Sequence, residues 1–457
     1  MILPLFDAVA AVLAEAGIGA GARLCCALSG GVDSVVLVDA LAGVRGSFGF
    51  VLEAAHVNHG LQAQADDWQR FCEVLCRERD IPLHVFRVDV VRDHPDGLEA
   101  AARLARYAAL AEVACDWLVF GHHRDDQAET VLFRLLRGAG VRGMAAMAAI
   151  EREGARRLRP LLGLGRAEIL AHARARGLAW VEDASNADPV FARNDLRHRI
   201  LPAIETRFPG ARRTLTRAGA HFAEAAALLD DLAGLDAAAC ADEGGSFARS
   251  ALLMLSRPRL ANLLRWTIRG QGARVPATAR LDEALRQLCA TGSPLALPLG
   301  ELVCYSYRGR VWLAPAALAT PSSRRWLATT GVAEWGGGCV YCRAAQGAGV
   351  AASALEDAEC RLSPRAPGLK LRLGAARPAR SLKNLCQERG IPPWLRERLP
   401  VLEVNGRIAW VGGIGVDAAF ACAPGAAGWT LEWRPDVSLS TPSAIAPVPP
   451  PSVSASC

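Results

Sequence analysis

Two polar stretches carry residue types at spacings suited to chemistry. The first is Ser29-Gly30-Gly31-Val32-Asp33-Ser34, set between two apolar segments. Adjacent glycines let the backbone turn tightly and approach a ligand. Hydroxyls and N–H groups then face an anion at a helix N-terminus, where the dipole favours negative charge. Asp33 would repel a bare phosphate, but it makes sense as a ligand of magnesium bridging phosphates. A tight turn with a Ser/Asp cap is the simpler alternative, and the full hexapeptide in this context favours a phosphate loop. The second stretch is Gly121-His122-His123-Arg124-Asp125-Asp126-Gln127-Ala128-Glu129-Thr130. Acidic residues in a first helical turn are ordinary capping. Six adjacent polar residues where a strand ends are more than a cap requires. Asp126 and Glu129 lie three apart and share a helix face, so their carboxylates suit a second cation or an ammonium group.

Other groups surround these two. Glu99, Arg103 and Arg106 share one helical face. An ion pair between Glu99 and Arg103 is one account; an arginine meeting phosphate or developing negative charge is the other. Arg193, Arg197 and Arg199 can neutralise RNA phosphates or support nucleotide phosphates. His56 and His59 close an apolar run; as a metal pair they lack a third ligand at suitable spacing. Near the end, Arg380, Lys383 and Arg389 precede a Gly-Ile-Pro-Pro turn and Trp394. A basic amphipathic helix followed by an aromatic ring suits RNA phosphate contact with one stacked base.

The elements that must position these groups follow from the apolar pattern. Strands are expected at 22–28, 51–57, 83–88 and 117–121, and helices at 33–42, 65–79, 98–114, 124–137 and from Arg166. This alternation predicts βαβ units and a doubly wound parallel α/β sheet, with its site beyond the carboxyl ends of the strands. The first domain is placed at 1–214. A helical middle domain follows at 215–320, with strand-like runs at 302–307 and 311–313. Residues 321–350, rich in Gly, Ser and Ala, read as a linker. A small α+β module is placed at 351–435, and a disordered Pro/Ser-rich tail at 436–457.

Composition narrows the chemistry. The chain has 457 residues and net charge +6, with 50 arginines and only two lysines, Lys370 and Lys383. No lysine precedes position 370, which excludes a Walker-type phosphate loop and a Schiff-base lysine from the N-terminal part. Two arginine-rich patches, 193–217 and 372–398, suggest a polyanionic partner. The 14 cysteines lie mostly in apolar runs and read as buried thiols. Cys339 and Cys342 form one lone Cys-x-x-Cys, which is weak support for zinc or a cluster. No apolar run is long enough to span a membrane, and the start lacks signal-peptide features. The cytoplasm is the expected location.

The hexapeptide resembles the pyrophosphate loop of the N-type ATP pyrophosphatases, which cleave ATP to AMP and pyrophosphate and adenylate an oxygen of their substrate. Within that superfamily the lysidine synthetases are the best likeness. It rests on His56-Val57-Asn58-His59-Gly60-Leu61, on Glu99 to Tyr107, and on Gly121 to Thr130. Arg134 to Gly138, Arg159 to Leu162, Asp183 to Asn186 and Arg193 to Pro202 continue it, and Arg380 to Gly413 resembles their C-terminal RNA-binding module. Gln62 stands where that family usually has arginine. The resemblance implies ATP as substrate and magnesium on Asp33. Ser29 to Ser34 and His56 would serve ATP. Arg103 and Arg197 would meet developing charge, and Asp126 and Glu129 would meet free L-lysine. Arg193, Arg199, Arg380, Lys383, Arg389 and Trp394 would contact a CAU-anticodon isoleucine tRNA. A homodimer is kept open. A tRNA thiolation enzyme, which needs cysteines near the ATP site, and a non-catalytic RNA-binding protein are the competing readings.

Overall fold

The computed structural model describes residues 3–435, apart from 92, 95–96, 153, 183–191, 243–244, 291, 293, 317–320 and 327–330. The tail from 436 and the Asp183–Asn186 motif therefore lie outside the described residues. The chain divides into two compact units, Met1–Leu228 and Leu229–Cys457.

The first unit opens with helix α1 (Leu3–Ala16) and then alternates: β1 (Arg23–Ala27), α2 (Val32–Phe48), β2 (Val51–Asn58), α3 (Ala65–Glu78), β3 (Leu83–Arg87), α4 (Leu98–Ala111), β4 (Trp117–Val119) and α5 (Arg124–Leu136). Next come α6 (Val141–Met144), β5 (Ile150–Glu151), β6 (Arg157–Leu158) and α7 (Arg166–Ala175). The sheet order is β3-β2-β1-β4-β6-β5. Neighbours pair in parallel except β5, which runs antiparallel to β6 at the edge. The chain winds outward from β1 to β3, and α4 then carries it back to β4 on the other side of β1. The crevice beyond the β1 and β4 ends is thus the switch point of the sheet, where such folds bind ligands.

Apolar residues cover both faces. On one side α1, α2, α3 and α7 pack through Leu13, Leu37, Cys72 and Ile169. On the other, Leu110 of α4 meets Cys25, Ala55, Leu118 and Phe120. Cys25 and Cys26, adjacent on β1, belong to these opposite clusters, as the alternation of a strand requires. Beyond α7 lie α8 (Ala192–Asp195), a π-helical turn at Leu196–Ile200, α9 (Leu201–Arg207) and the long α10 (Ala211–Cys240). The boundary placed at 214/215 falls inside α10, so it does not mark a break in secondary structure.

The second unit contains more sheet than its sequence suggested. Helices Arg257–Gly270 and Thr278–Ala290 pack with a five-stranded antiparallel sheet that includes Leu302–Tyr307 and Arg310–Pro315. The stretch read as a linker contains strands among its described residues. Gly331–Glu334 and Gly338–Gln346 form a hairpin, and the second of these strands pairs along its whole length with Ala427–Pro435. Gly336 and Gly337 have φ of +56° and +77° and form the two-residue turn, the geometry that glycine supplies in tight hairpins. Those glycines are turn residues of a sheet.

Trp394 also departs from expectation. Its ring stacks on Tyr305 at 4.1 Å, with Tyr307 and Trp312 edge-on at 6.3 and 5.6 Å. The ring, half-buried, packs on the paired strands Leu302–Tyr307 and Arg310–Pro315, with one face already taken by Tyr305. Trp394→Ala is expected to lower the stability of this unit by about 3 kcal/mol, the scale of a large aromatic truncation. A urea titration followed by tryptophan fluorescence measures it. The exposed Lys383, changed to Ala, should leave the midpoint within about 0.5 kcal/mol.

Candidate active site

The phosphate loop forms because α2 starts where β1 ends. Gly30 has φ +87°, and a Cβ there would stand 2.9 Å from Val181 Cγ2 and 3.3 Å from Cys72 Sγ. Glycine is thus required twice, by conformation and by space. Cys72 packs directly beneath the loop; the helix surface it occupies does not turn away from the site. Ser34 ties the loop together. Its hydroxyl donates to Gly31 O at 2.9 Å, accepts from Ser29 N at 3.2 Å, and lies 3.1 Å from Ser29 Oγ. Ser34 N and Val35 N donate to Gly31 O at 3.1 and 3.0 Å, and the N–H groups of Val32 and Asp33, ahead of the first helical bonds, are left for an anion.

Gly121 joins the two motifs. A Cβ on it would lie 2.9 Å from Asp33 O and 3.2 Å from Ser34 N. The end of β4 therefore presses against the first turn of α2. His123 follows as the N-cap of α5. Its Nδ1 accepts from Asp126 N at 3.4 Å, while its own N–H donates to Asp126 Oδ2 at 3.0 Å. With Nδ1 accepting, the ring proton sits on Nε2. That atom lies 3.4 Å from Asp126 Oδ2 and 3.7 Å from Asp33 Oδ2. Burial lowers the His123 pKa, but Asp33, Asp126 and Asp125 outweigh it and the net direction is upward.

The predicted anion- and cation-binding groups meet each other here. Arg197 donates from Nε to Glu129 Oε1 at 2.6 Å, and from Nη2 to Glu129 Oε2 at 2.9 Å and Asp126 Oδ1 at 2.8 Å. Glu129 is almost wholly buried, and Arg193 Nε lies 3.6 Å from it. Arg193 also donates to Thr130 Oγ1 at 3.3 Å, so this residue, expected to contact RNA, belongs to this cluster. Burial raises the Asp126 pKa, yet His123, His122 and Arg197 pull harder and hold it below the ordinary carboxylate range.

A cavity of about 440 Å³ opens beside this cluster, lined in part by Ser29, Asp33, His56, Arg106, His122 and Asp126. Its size suits a nucleotide-scale ligand. His56 is buried, and its Nδ1 donates to Leu28 O at 2.9 Å; burial first lowers its pKa. Burial, reinforced by Arg159, Arg106 and Arg193 against the pull of Asp126, pushes His122 down to about 3. His122 is therefore neutral at pH 7. No cysteine lines the cavity among the described residues; Cys72, behind the loop, is buried. Cys342 lies in the core and Cys339 three residues along the same strand, so they face opposite sides of the sheet. No group of three possible metal ligands occurs among the described residues. Asp33 Oδ1 is nonetheless buried and has no hydrogen-bond partner, an arrangement that costs free energy unless a cation or donor completes it.

The remaining predicted residues lie as follows. Arg103 is exposed and reaches Tyr107 Oη at 3.3 Å; the side chain of Glu99 is outside the described residues. Arg199 is exposed and pairs with Asp195 at 3.1 Å. Arg380 pairs with Glu388 at 2.5 Å, and Lys383 and Arg389 are exposed. The roles of Gly121 and His123 were hidden in the sequence because both depend on where β4 lies against β1. The glycine directly before the His-His pair was the available signal.

Residues 8–204 match the PP-loop domain family, residues 247–312 the TilS substrate binding domain, and residues 360–433 the TilS substrate C-terminal domain. The chain is 55% identical over 424 residues to a tRNA(Ile)-lysidine synthase of Aromatoleum aromaticum, covering 93% of this chain and 100% of that relative. It is 52% identical over 438 residues to one from an Azoarcus species, covering 95% and 97%. A third, from Nitrosomonas europaea, is 37% identical over 424 residues and covers 91% and 92%.

The Gly121 contact makes a direct prediction. Gly121→Ala must push the Asp33 peptide away, an overpacking cost of about 1–3 kcal/mol. Calorimetric titration should show ATP binding weakened roughly 10- to 100-fold, with the circular dichroism spectrum unchanged.

Proposed function

The chain belongs to the tRNA(Ile)-lysidine synthase family, and from that premise we propose how its residues divide the work of the reaction. It is an ATP-using ligase that forms a carbon–nitrogen bond on tRNA(Ile). The observation that carries the residue assignment is the joining of phosphate loop, cavity and carboxylate–arginine cluster at one switch point.

In the first step the carbonyl oxygen at carbon 2 of the wobble cytidine attacks the α-phosphorus of ATP. A phosphorus–oxygen bond forms and pyrophosphate leaves. Ser29 to Ser34 would hold the departing pyrophosphate with hydroxyls and N–H groups, and the His56 side of the cavity would take the nucleoside. Asp33, through its unpartnered Oδ1, would hold magnesium; the ion supplies charge neutralisation for the phosphates when bound. Arg103, Arg106 and Arg197 would balance charge that develops as the bond breaks. In the second step the ε-amine of free L-lysine attacks carbon 2 and AMP leaves. Asp126 and Glu129 would attract the ammonium form and accept the proton it must lose before attack.

The exposed Arg199 of the first unit and Arg380, Lys383 and Arg389 of the second would contact phosphates of the CAU-anticodon tRNA. Trp394, already stacked, would support that surface from beneath. No helix among the described residues is long and apolar enough to cross a membrane. The cytoplasm, where tRNA, ATP and lysine meet, is the proposed location.

The test is incubation with ATP, magnesium, radiolabelled lysine and unmodified CAU-anticodon isoleucine tRNA. Label should enter the tRNA. Asp33→Ala should lower the rate by roughly 10²-fold or more, the scale of losing an electrostatic stabiliser, and chelation of magnesium should do the same. Pyrophosphate release without label transfer would point to another nucleophile.

A further inference from the structure

The groups expected to bind the two charged small substrates neutralise each other in this structure. Arg197 spans both Asp126 and Glu129 within 2.9 Å. The guanidinium already takes three of the four carboxylate oxygens, so an ammonium group that seeks them must compete with it. The guanidinium in turn commits Nε and Nη2 to these carboxylates, so a bidentate grip on a phosphate through that edge requires it to let go. Glu129 is 1% exposed, and a carboxylate this deep cannot be left without a cation. Arg197 is better placed to leave than Glu129. Its side chain is 24% exposed, and it stands on the π-helical turn Leu196–Ile200, a widened helix form common at functional sites. The ionic contacts also run continuously to the phosphate loop: Asp33 meets His123, His123 meets Asp126, and Asp126 meets Arg197. The charge of Asp33 acts on Arg197 as well.

We infer that Arg197 is an exchangeable counter-ion, occupying the ammonium subsite of Asp126 and Glu129 until nucleotide phosphate draws it off, so that nucleotide and lysine bind cooperatively. The inference rests on the proposed lysine role of Asp126 and Glu129. The exchange balances charge at each step. A phosphate takes the guanidinium, an ammonium group replaces it on the carboxylates, and no buried charge is left alone. Each half is less favourable without the other, because each by itself leaves an ion short of its partner. Arg193, 3.6 Å from Glu129, remains to hold that carboxylate during the swap. The consequence is a preferred order, nucleotide before lysine. Lysine would then reach its subsite only when there is a phosphate to activate.

Equilibrium dialysis of radiolabelled lysine against the full chain tests this, with and without magnesium and α,β-methylene ATP. Wild type should bind lysine about tenfold tighter with the analogue present, within the usual range of site coupling, and lysine should tighten the analogue by the same factor. Arg197→Gln should bind lysine without nucleotide as well as wild type does with it, and lose the dependence. Equal lysine affinity with and without the analogue in wild type, or no lysine retained in either state, overturns the exchange. The wild-type reciprocity decides the matter even if Arg197→Gln folds poorly. If Asp126→Asn leaves lysine affinity unchanged in both states, the lysine subsite lies elsewhere and the underlying assignment fails. Transfer of label to tRNA tests the overall reaction separately.

Discussion

Glu129 is a carboxylate buried almost completely beside a cavity, and everything near it is arranged so that it can stay charged. Taking an ion from water into a protein interior costs several kcal/mol unless partners replace the water. Arg197 meets it with two donors and Arg193 stands close by. Asp126, one turn earlier on the same helix, shares Arg197 and leans on His123. His123 in turn reaches the first turn of α2 through Asp33. A single buried charge thus fixes the relation of two motifs more than ninety residues apart, and it does so only if β1 and β4 are neighbours.

That adjacency comes from the winding of the sheet. Parallel strands need long crossovers, so β1 and β4 become neighbours only after the chain has laid down β2 and β3 on the other side. The price of placing two polar motifs at one switch point is close backbone packing between them. Glycine at 121 meets that demand, since even a methyl group would collide with the Asp33 carbonyl. The loop that holds phosphate and the cap that organises the carboxylates are therefore positioned by one contact, and neither can shift without the other.

The sequence was most legible where local pattern and tertiary role coincide. Buried strands flanked by polar turns stood out, and β1 to β4 lie within two residues of the expected spans. The hexapeptide and the Gly121 to Thr130 stretch were visible because their chemistry is compact in the chain. Pairings between distant residues were not. Nothing local says that Arg197 and Glu129 neutralise each other, or that Arg193 turns inward to Thr130. Composition misled at 321–350, where Gly336 and Gly337 read as linker but build a hairpin turn whose strand is stabilised by pairing with residues near 430. Trp394 misled for a related reason. An aromatic ring beside arginines suits base stacking in sequence, while its true partners, Tyr305 and Trp312, lie some eighty residues upstream.

The arginine bias has a chemical consequence at the site. The chain has no lysine before position 370, so the unit spanning Met1–Leu228 presents no ε-amine of its own. Its basic side chains are guanidinium groups, which stay protonated at any physiological pH and are not nucleophiles there. An activated base held over the phosphate loop therefore meets only non-nucleophilic cations from that unit. Arg197 can stand in the carboxylate subsite, or lie against a phosphate, without attacking the adenylate. A lysine side chain in the same place would compete directly with the proposed amine substrate for carbon 2. On the proposed division of roles, the ion that neutralises the site before reaction and the amine that reacts would thus be kept chemically distinct, although the same two carboxylates would draw both.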